Sequence, residues 1–278
     1  MILTESLGKF KRNWNQFILT FVFVHLFLIL IGNQPLFAQQ NYNLLQSDST
    51  SLEKVIVEKY YVSDSDDYRD TTYNTLPNGA VTYRIFIDMK PGYMLQVVYG
   101  NQKHELFIKT STTFFNNLVD FAETGFNVNT KYLHIGSNAL DSWITMGAAS
   151  RGYTGIPLNE DDSVFSLINN HKALSKVDGL TKGVLPKFQV FNLDLKPFRD
   201  DTTANVFSTN NGGWAAMGGV SGPTPENRVL IAQITTTGKL SFRLNVQLGT
   251  PTGGTVQFVA SDPEAKEIAF KGLAYNEN

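Results

Sequence analysis

Leu240-Ser241-Phe242-Arg243-Leu244-Asn245-Val246-Gln247-Leu248 is apolar at every second position, with Ser241, Arg243, Asn245 and Gln247 in between. A period of two belongs to an extended chain that lays one face on a core and the other in water. Just before it, Arg228–Thr236 is an apolar, β-branched run. Thr237-Gly238-Lys239, between the two, predicts a tight turn closing a β-hairpin. The same pattern spreads outward. Val81, Tyr83, Ile85 and Ile87 alternate with Thr82, Arg84, Phe86 and Asp88, between turn signals at Pro77-Asn78-Gly79 and Pro91-Gly92. Tyr93–Tyr99 follows, and Gly100-Asn101 turns the chain into His104–Lys109. Further strands are expected at Val55–Val62, Ser142–Met146, Lys187–Leu193, Thr255–Ala260 and Glu267–Tyr275. Two stretches, Phe115–Ala122 and Val164–Leu174, space apolar residues three and four apart and predict short helices. About ten short strands separated by Gly, Pro and Asn predict an all-β antiparallel β-sandwich or jelly-roll-like single domain with one or two short helices.

Composition agrees. Of 278 residues, 42% are hydrophobic, 12% aromatic (20 Phe, 11 Tyr) and only 17% charged, a mixture suited to strands and turns. A net charge of −2 lacks the basic footprint of a nucleic-acid binder. The absence of cysteine excludes disulfides, thiolate metal sites and cysteine nucleophiles.

The first forty residues read as an address. Lys9, Lys11 and Arg12 precede an apolar run from Phe17 to Ile31, and polarity returns before Leu36-Phe37-Ala38. That is the pattern of a cleaved signal peptide over residues 1–38. The run is short for a membrane span of roughly 20 residues, and no second apolar run follows, so no transmembrane span is expected after cleavage. No cysteine follows for lipid attachment. Cleavage removes three basic residues and one acid (Glu5), leaving a net charge of −4. Residues 39–52 are expected as a flexible lead-in and 53–278 as the β domain.

Several segments resemble an uncharacterised family of secreted β-domains of Bacteroidetes. They are Val57–Ser63, Gly79–Arg84, Met89–Tyr93, Val98–Gly100, Thr112–Asn117, Leu140–Trp143, Gly213–Ala215, Asn227–Thr236, Leu244–Gln247 and Gly249–Pro251. The resemblance spans roughly residues 55–275, in order. It implies an extracellular module, often N-terminal to immunoglobulin-like repeats and a type IX secretion C-terminal sorting domain, and it brings no catalytic residues. Two departures stand out: Leu118-Val119-Asp120-Phe121 replaces an acidic, Arg- and Gly-containing segment, and nothing after Tyr275 resembles a sorting domain. Cell surface, medium and periplasm all stay open as destinations.

Catalytic motifs are sparse. Beyond the leader there are three histidines (His104, His134, His171), none paired at helical metal-ligand spacing. Gly219-Val220-Ser221-Gly222 lacks the spacing of a nucleophile elbow, and no phosphate-binding loop or dinucleotide fingerprint occurs, so no nucleotide cofactor is expected. His104, inside an expected strand, reads as a hydrogen-bonded structural histidine. Carboxylates are more suggestive. Asp64, Asp66, Asp67 and Asp70 crowd one loop after a strand, and Glu160, Asp161 and Asp162 crowd another that could combine with Asp178 or Asp200-Asp201. Clustered loop oxygens suit calcium, although charge runs of this kind ordinarily serve as solvated loops. Trp143 and Trp214 are the tryptophans left after the leader, and Trp214 follows the turn Asn210–Gly213. Either ring could stack on a sugar face, against the commoner role of core packing. The resulting expectation is a secreted, non-catalytic module binding a glycan or a surface protein, or acting in adhesion. A glycoside-hydrolase-like enzyme with paired carboxylates and a purely structural envelope component are the alternatives.

Overall fold

The computed structural model describes residues 48–160 and 179–277. The expected leader, most of the lead-in, Asp161, Asp162, His171, Asp178 and the helix expected at 164–174 lie outside the described residues. In chain order the strands are β1 (Leu52–Val62), β2 (Val81–Met89), β3 (Met94–Gly100), β4 (Leu106–Thr110), β5 (Trp143–Ile144), β6 (Ala148–Ser150), β7 (Tyr153–Gly155) and β8 (Leu180–Lys182). They continue with β9 (Lys187–Phe191), β10 (Val206–Thr209), β11 (Gly212–Val220), β12 (Arg228–Thr236), β13 (Leu240–Arg243), β14 (Asn245–Gly249), β15 (Thr255–Val259), β16 (Glu267–Ala269) and β17 (Ala274–Asn276). Among the described residues, two short helices, α1 (Ser65–Arg69) and α2 (Lys196–Arg199), interrupt them. The protein is all-β.

The strands form four sheets, ordered β1-β2-β12-β5, β10-β4-β13-β17, β16-β15-β14-β3-β11-β9 and β6-β7-β8. Pairing is antiparallel except between β15 and β16. One apolar core draws together Ile85, Ile87, Ile231 and Ile234 of the first sheet, Ile108, Phe207 and Phe242 of the second, and Val98, Trp214, Val246 and Phe258 of the third. At ~25 cal/mol per Å² of apolar surface, this burial is the main favourable term for a chain without crosslinks.

The stretch that fixes the strand class behaves differently from a simple strand. Its alternation is unbroken, yet Leu240–Arg243 pairs with β4 and β17 whereas Asn245–Gly249 pairs with β3 and β15. The chain leaves one sheet and joins another at Leu244, which is fully buried. Asn245, expected on the water face, is buried at this corner and donates through Nδ2 to the carbonyls of Tyr99 and His104, both at 3.0 Å. The predicted hairpin is corrected as well. β12 pairs with β2 and β5, not β13, so Thr237-Gly238-Lys239 is a crossing between sheets. The Lys239 N–H donates to Ser111 Oγ at 2.8 Å and the Ser111 N–H to the Lys239 carbonyl at 3.1 Å, so the turn bonds to the 111 segment in place of a strand partner.

Other expectations shift similarly. Glu267–Tyr275 splits into β16 and β17, which belong to different sheets. The lead-in ends early: Ser51 and Leu52 are buried, and the Lys90 N–H donates to the Ser51 carbonyl at 2.9 Å. The helix expected at Phe115–Ala122 is absent. Its backbone donors are taken by distant acceptors: Phe115 N–H by the Thr235 carbonyl (2.7 Å), Asn117 N–H by Asp141 Oδ1 (2.9 Å) and Leu118 N–H by the Tyr73 carbonyl (3.1 Å). Phe121, at φ +51°, is left-handed and exposed. This irregular segment, with 124–142, packs on the face of the first sheet that carries Phe86, Leu230, Gln233 and Thr235.

Candidate functional site

Three places gather polar or aromatic side chains. The first is a cleft of about 180 Å³ beside the inter-sheet crossing, lined by Asn74, Thr75, Thr113, Thr202, Thr236 and Thr237, with Phe114 and Phe115 beneath. Thr113, Thr202 and Thr237 are exposed at its rim. Asn74 is anchored, its Nδ2 donating to the Asn116 carbonyl at 2.7 Å and its Oδ1 accepting from the Thr75 N–H at 2.9 Å. Thr236 Oγ1 lies 2.9 Å from Thr112 Oγ1 and accepts from the Gly238 N–H, so the crossing turn shapes one wall. None of the described lining residues is charged. Tyr73, next in sequence to the lining, sits at φ +62° with its side chain exposed, a backbone conformation that a non-glycine residue adopts at a cost of roughly 1–3 kcal/mol. Hydroxyls donate and accept together, so this lining matches a neutral, hydroxyl-bearing ligand better than an ion.

The second is a shallow groove of about 420 Å³ on the outer face of the second sheet, where Lys109 Nζ lies 4.1 Å from the Phe107 ring centre and Arg243 is exposed. Its two cations set it apart from the uncharged cleft.

The third is closed. Asn117, Asn138 and Asp141 are at most 1% exposed. Asp141 Oδ1 accepts from the Asn117 and Ser142 N–H groups, both at 2.9 Å, and Asp120 Oδ2 accepts from the Asn129 N–H at 3.0 Å. The opposite oxygens, Asp141 Oδ2 and Asp120 Oδ1, have no hydrogen-bond partner, nor do Asn117 Nδ2 and both amide atoms of Asn138. A buried orphan of this kind costs about 1–3 kcal/mol. Burial pushes the Asp141 carboxyl well above the usual range and the Asp120 charge adds to it, against the two N–H bonds. Burial raises Asp120 too, opposed by the Asn129 N–H, the neighbouring Asn138 amide and the charge of Arg151.

The residues singled out in the sequence are placed elsewhere. Trp143 and Trp214 are buried, at 2% and 0% exposure, and Trp214 Nε1 donates to the Thr145 carbonyl at 2.8 Å. Neither ring offers a face to a sugar, because each fills an apolar cluster. The Asp64–Asp70 run is a capped helix and not an open loop. Asp64 Oδ1 accepts from the Asp66 and Asp67 N–H groups, and Asp67 Oδ2 from the Asp64 N–H and the Tyr61 hydroxyl, both at 2.9 Å. That is a capping box on α1. Asp66 pairs with Arg69, and Asp70 Oδ1 accepts from the Thr72 N–H. Glu160 accepts from Thr224 and pairs with Arg228, which also reaches Asp88. Among the described residues, no three His, Cys, Asp or Glu side chains gather as a metal-binding group. His104 is the hydrogen-bonded histidine expected, with Nε2 2.8 Å from Glu267 Oε2 and both side chains nearly buried.

Sequence reasoning missed the cleft and the closed cluster. The cleft draws on four separate segments and left no local signal. The cluster had one: Asn116, Asn117, Asp120, Asn127, Asn129, Asn138 and Asp141 crowd Asn and Asp into a single stretch of the chain.

Comparison with protein-family models, with curated proteins and with solved structures finds no match for this chain. Among the described residues, no helix is long and apolar enough to cross a membrane.

Proposed function

We propose that the chain is an exported, non-catalytic binding module whose ligand is a neutral glycan, received in the threonine-lined cleft. The observation that carries this reading is the lining itself: Asn74, Thr75, Thr113, Thr202 and Thr237 offer hydroxyl and amide groups without charge, in a space suited to one sugar ring, above Phe114 and Phe115. Neutral polyols are recognised by groups that both donate and accept, set against an apolar floor. Tyr73, adjacent in sequence to Asn74, is an exposed aromatic residue, which the buried tryptophans are not. Export behind residues 1–38, the two-layered sandwich arrangement and membership of the secreted Bacteroidetes family belong to the same proposal, supported by the basic-then-apolar leader and the ordered motifs.

A glycan array probed with the purified protein tests this reading. Neutral glycans are expected to bind, and T113V and T202V, which keep shape and remove one hydroxyl each, are expected to weaken binding roughly tenfold apiece. K109A and R243A, in the charged groove, are expected to leave it unchanged. An array without signal, or a hit abolished only by the groove variants, would reject the cleft as the glycan site.

A further inference from the structure

We infer that the loops spanning 117–120 and 138–141 hold a hard divalent cation of the calcium type between Asp120, Asn138 and Asp141. Three acceptor oxygens lack any hydrogen-bond donor: Asp120 Oδ1, Asn138 Oδ1 and Asp141 Oδ2. The Asn138 amide lies against the Asp120 carboxylate, and the two carboxylates feel one another's charge. Asn138 is 1% exposed, and neither of its amide atoms has a hydrogen-bond partner.

A buried carboxyl, Asp141, beside a half-buried one, Asp120, needs either a proton or a cation. Each carboxylate already spends one oxygen on backbone N–H groups, which favour its ionised form, and leaves the other without a donor. Arg151 is exposed and bears on Asp120 through its charge, leaving the pair's second charge unbalanced. An all-oxygen set carrying two negative charges on irregular loops suits calcium, which accepts six to eight oxygens in flexible geometry, better than magnesium, which demands a near-ideal octahedron. Water completing the shell accepts from the amide groups of Asn117 and Asn138, which removes the remaining orphans.

The placement gives the ion a structural role. Asp120 and Asp141 close a 20-residue loop that lies over the first sheet, and the Asn117 N–H bond to Asp141 already draws its ends together. In a protein with no cysteine, an ion here does what a crosslink does elsewhere. Trp143, two residues beyond Asp141, packs with Ala122, Val128 and Leu133 of the same segment, so it reports on the site.

The test uses the purified protein after chelation. One calcium per chain is expected by elemental analysis after re-addition, with a rise in Tm of roughly 5–10 °C once free ion exceeds Kd about a hundredfold. Terbium is expected to give emission excited through tryptophan, displaced by calcium far more readily than by magnesium. N138A and D141N should each weaken uptake at least tenfold, N138A deciding the matter if D141N fails to fold, and D66N/D70N in the acidic helix should bind as the parent does. No bound ion in the parent, a preference for magnesium, uptake unchanged in N138A, or uptake lost in D66N/D70N would each overturn the assignment.

Discussion

Glu277 ties the final strand to the middle of the first sheet: its carboxylate accepts from the Tyr83 hydroxyl at 2.5 Å and the Leu240 N–H at 3.4 Å and pairs with Lys59 at 3.0 Å. Burial pushes this carboxyl up, but Tyr83, Lys59 and the Leu240 N–H outweigh it and hold it below the usual range. A carboxyl depressed in the folded state contributes stability above its unfolded value, about 4.3, and loses it as the pH falls through the folded value. E277Q is therefore expected to lower stability at neutral pH by about 1 kcal/mol, with the gap to the parent closing in acid. Chemical denaturation across pH checks this, and a gap independent of pH would deny the ionic contribution. Trp214 makes a second residue-level case. W214F removes the donor to the buried Thr145 carbonyl and should cost about 1–3 kcal/mol while leaving glycan affinity unchanged, as calorimetry and binding curves would show. A loss of affinity without a loss of stability would return the tryptophan to the ligand site.

The crossing Thr237-Gly238-Lys239 shows what an element's sequence discloses and what it withholds. Alternation from Leu240 to Leu248 announces an extended chain and which side chains turn inward, and β2 and β12 occupy the residues that their apolar runs marked. Alternation does not name the partner strand. The period continues unbroken through Leu244 although the strand changes sheets there, and the turn after Thr236 has hairpin residues although its neighbours are β2 and Ser111. The helical spacing of Phe115, Leu118 and Phe121 misleads for a related reason: long-range acceptors outbid the local i−4 carbonyls, an outcome that short-range pattern does not record. The acidic runs drew attention by adjacency, while half-buried Asp120 and buried Asp141 lie 21 positions apart and meet only in the fold. Gly238 gives the element-level prediction. A Cβ there would lie 2.5 Å from the Thr112 backbone nitrogen, so G238A must displace the crossing from the 111–113 segment. Thermal denaturation is expected to show a Tm several degrees below the parent, with glycan binding weakened because Thr113 and Thr237 separate. An unchanged Tm would mean the crossing is not held in this way.

One apolar cluster runs through the first three sheets, so Ser49–Asn278 should unfold as one cooperative body, with near- and far-ultraviolet dichroism lost together. Two separated transitions would contradict a shared core. On that core the loops 111–118 and 200–204 and the crossing at 237 are fixed in place by backbone bonds from Phe114 to Ala204 and from Phe115 to Thr235, so the cleft is built into the fold before any ligand arrives. The most direct measurement is a nuclear magnetic resonance titration with the tightest neutral glycan from the array, following backbone amides across the molecule. Saturable shifts centred on Thr75, Thr113, Thr202 and Thr237, with the Phe107–Lys109 and Arg243 amides unmoved, are the predicted result. Shifts centred on the charged groove, or no saturable shift at the cleft, would contradict the account.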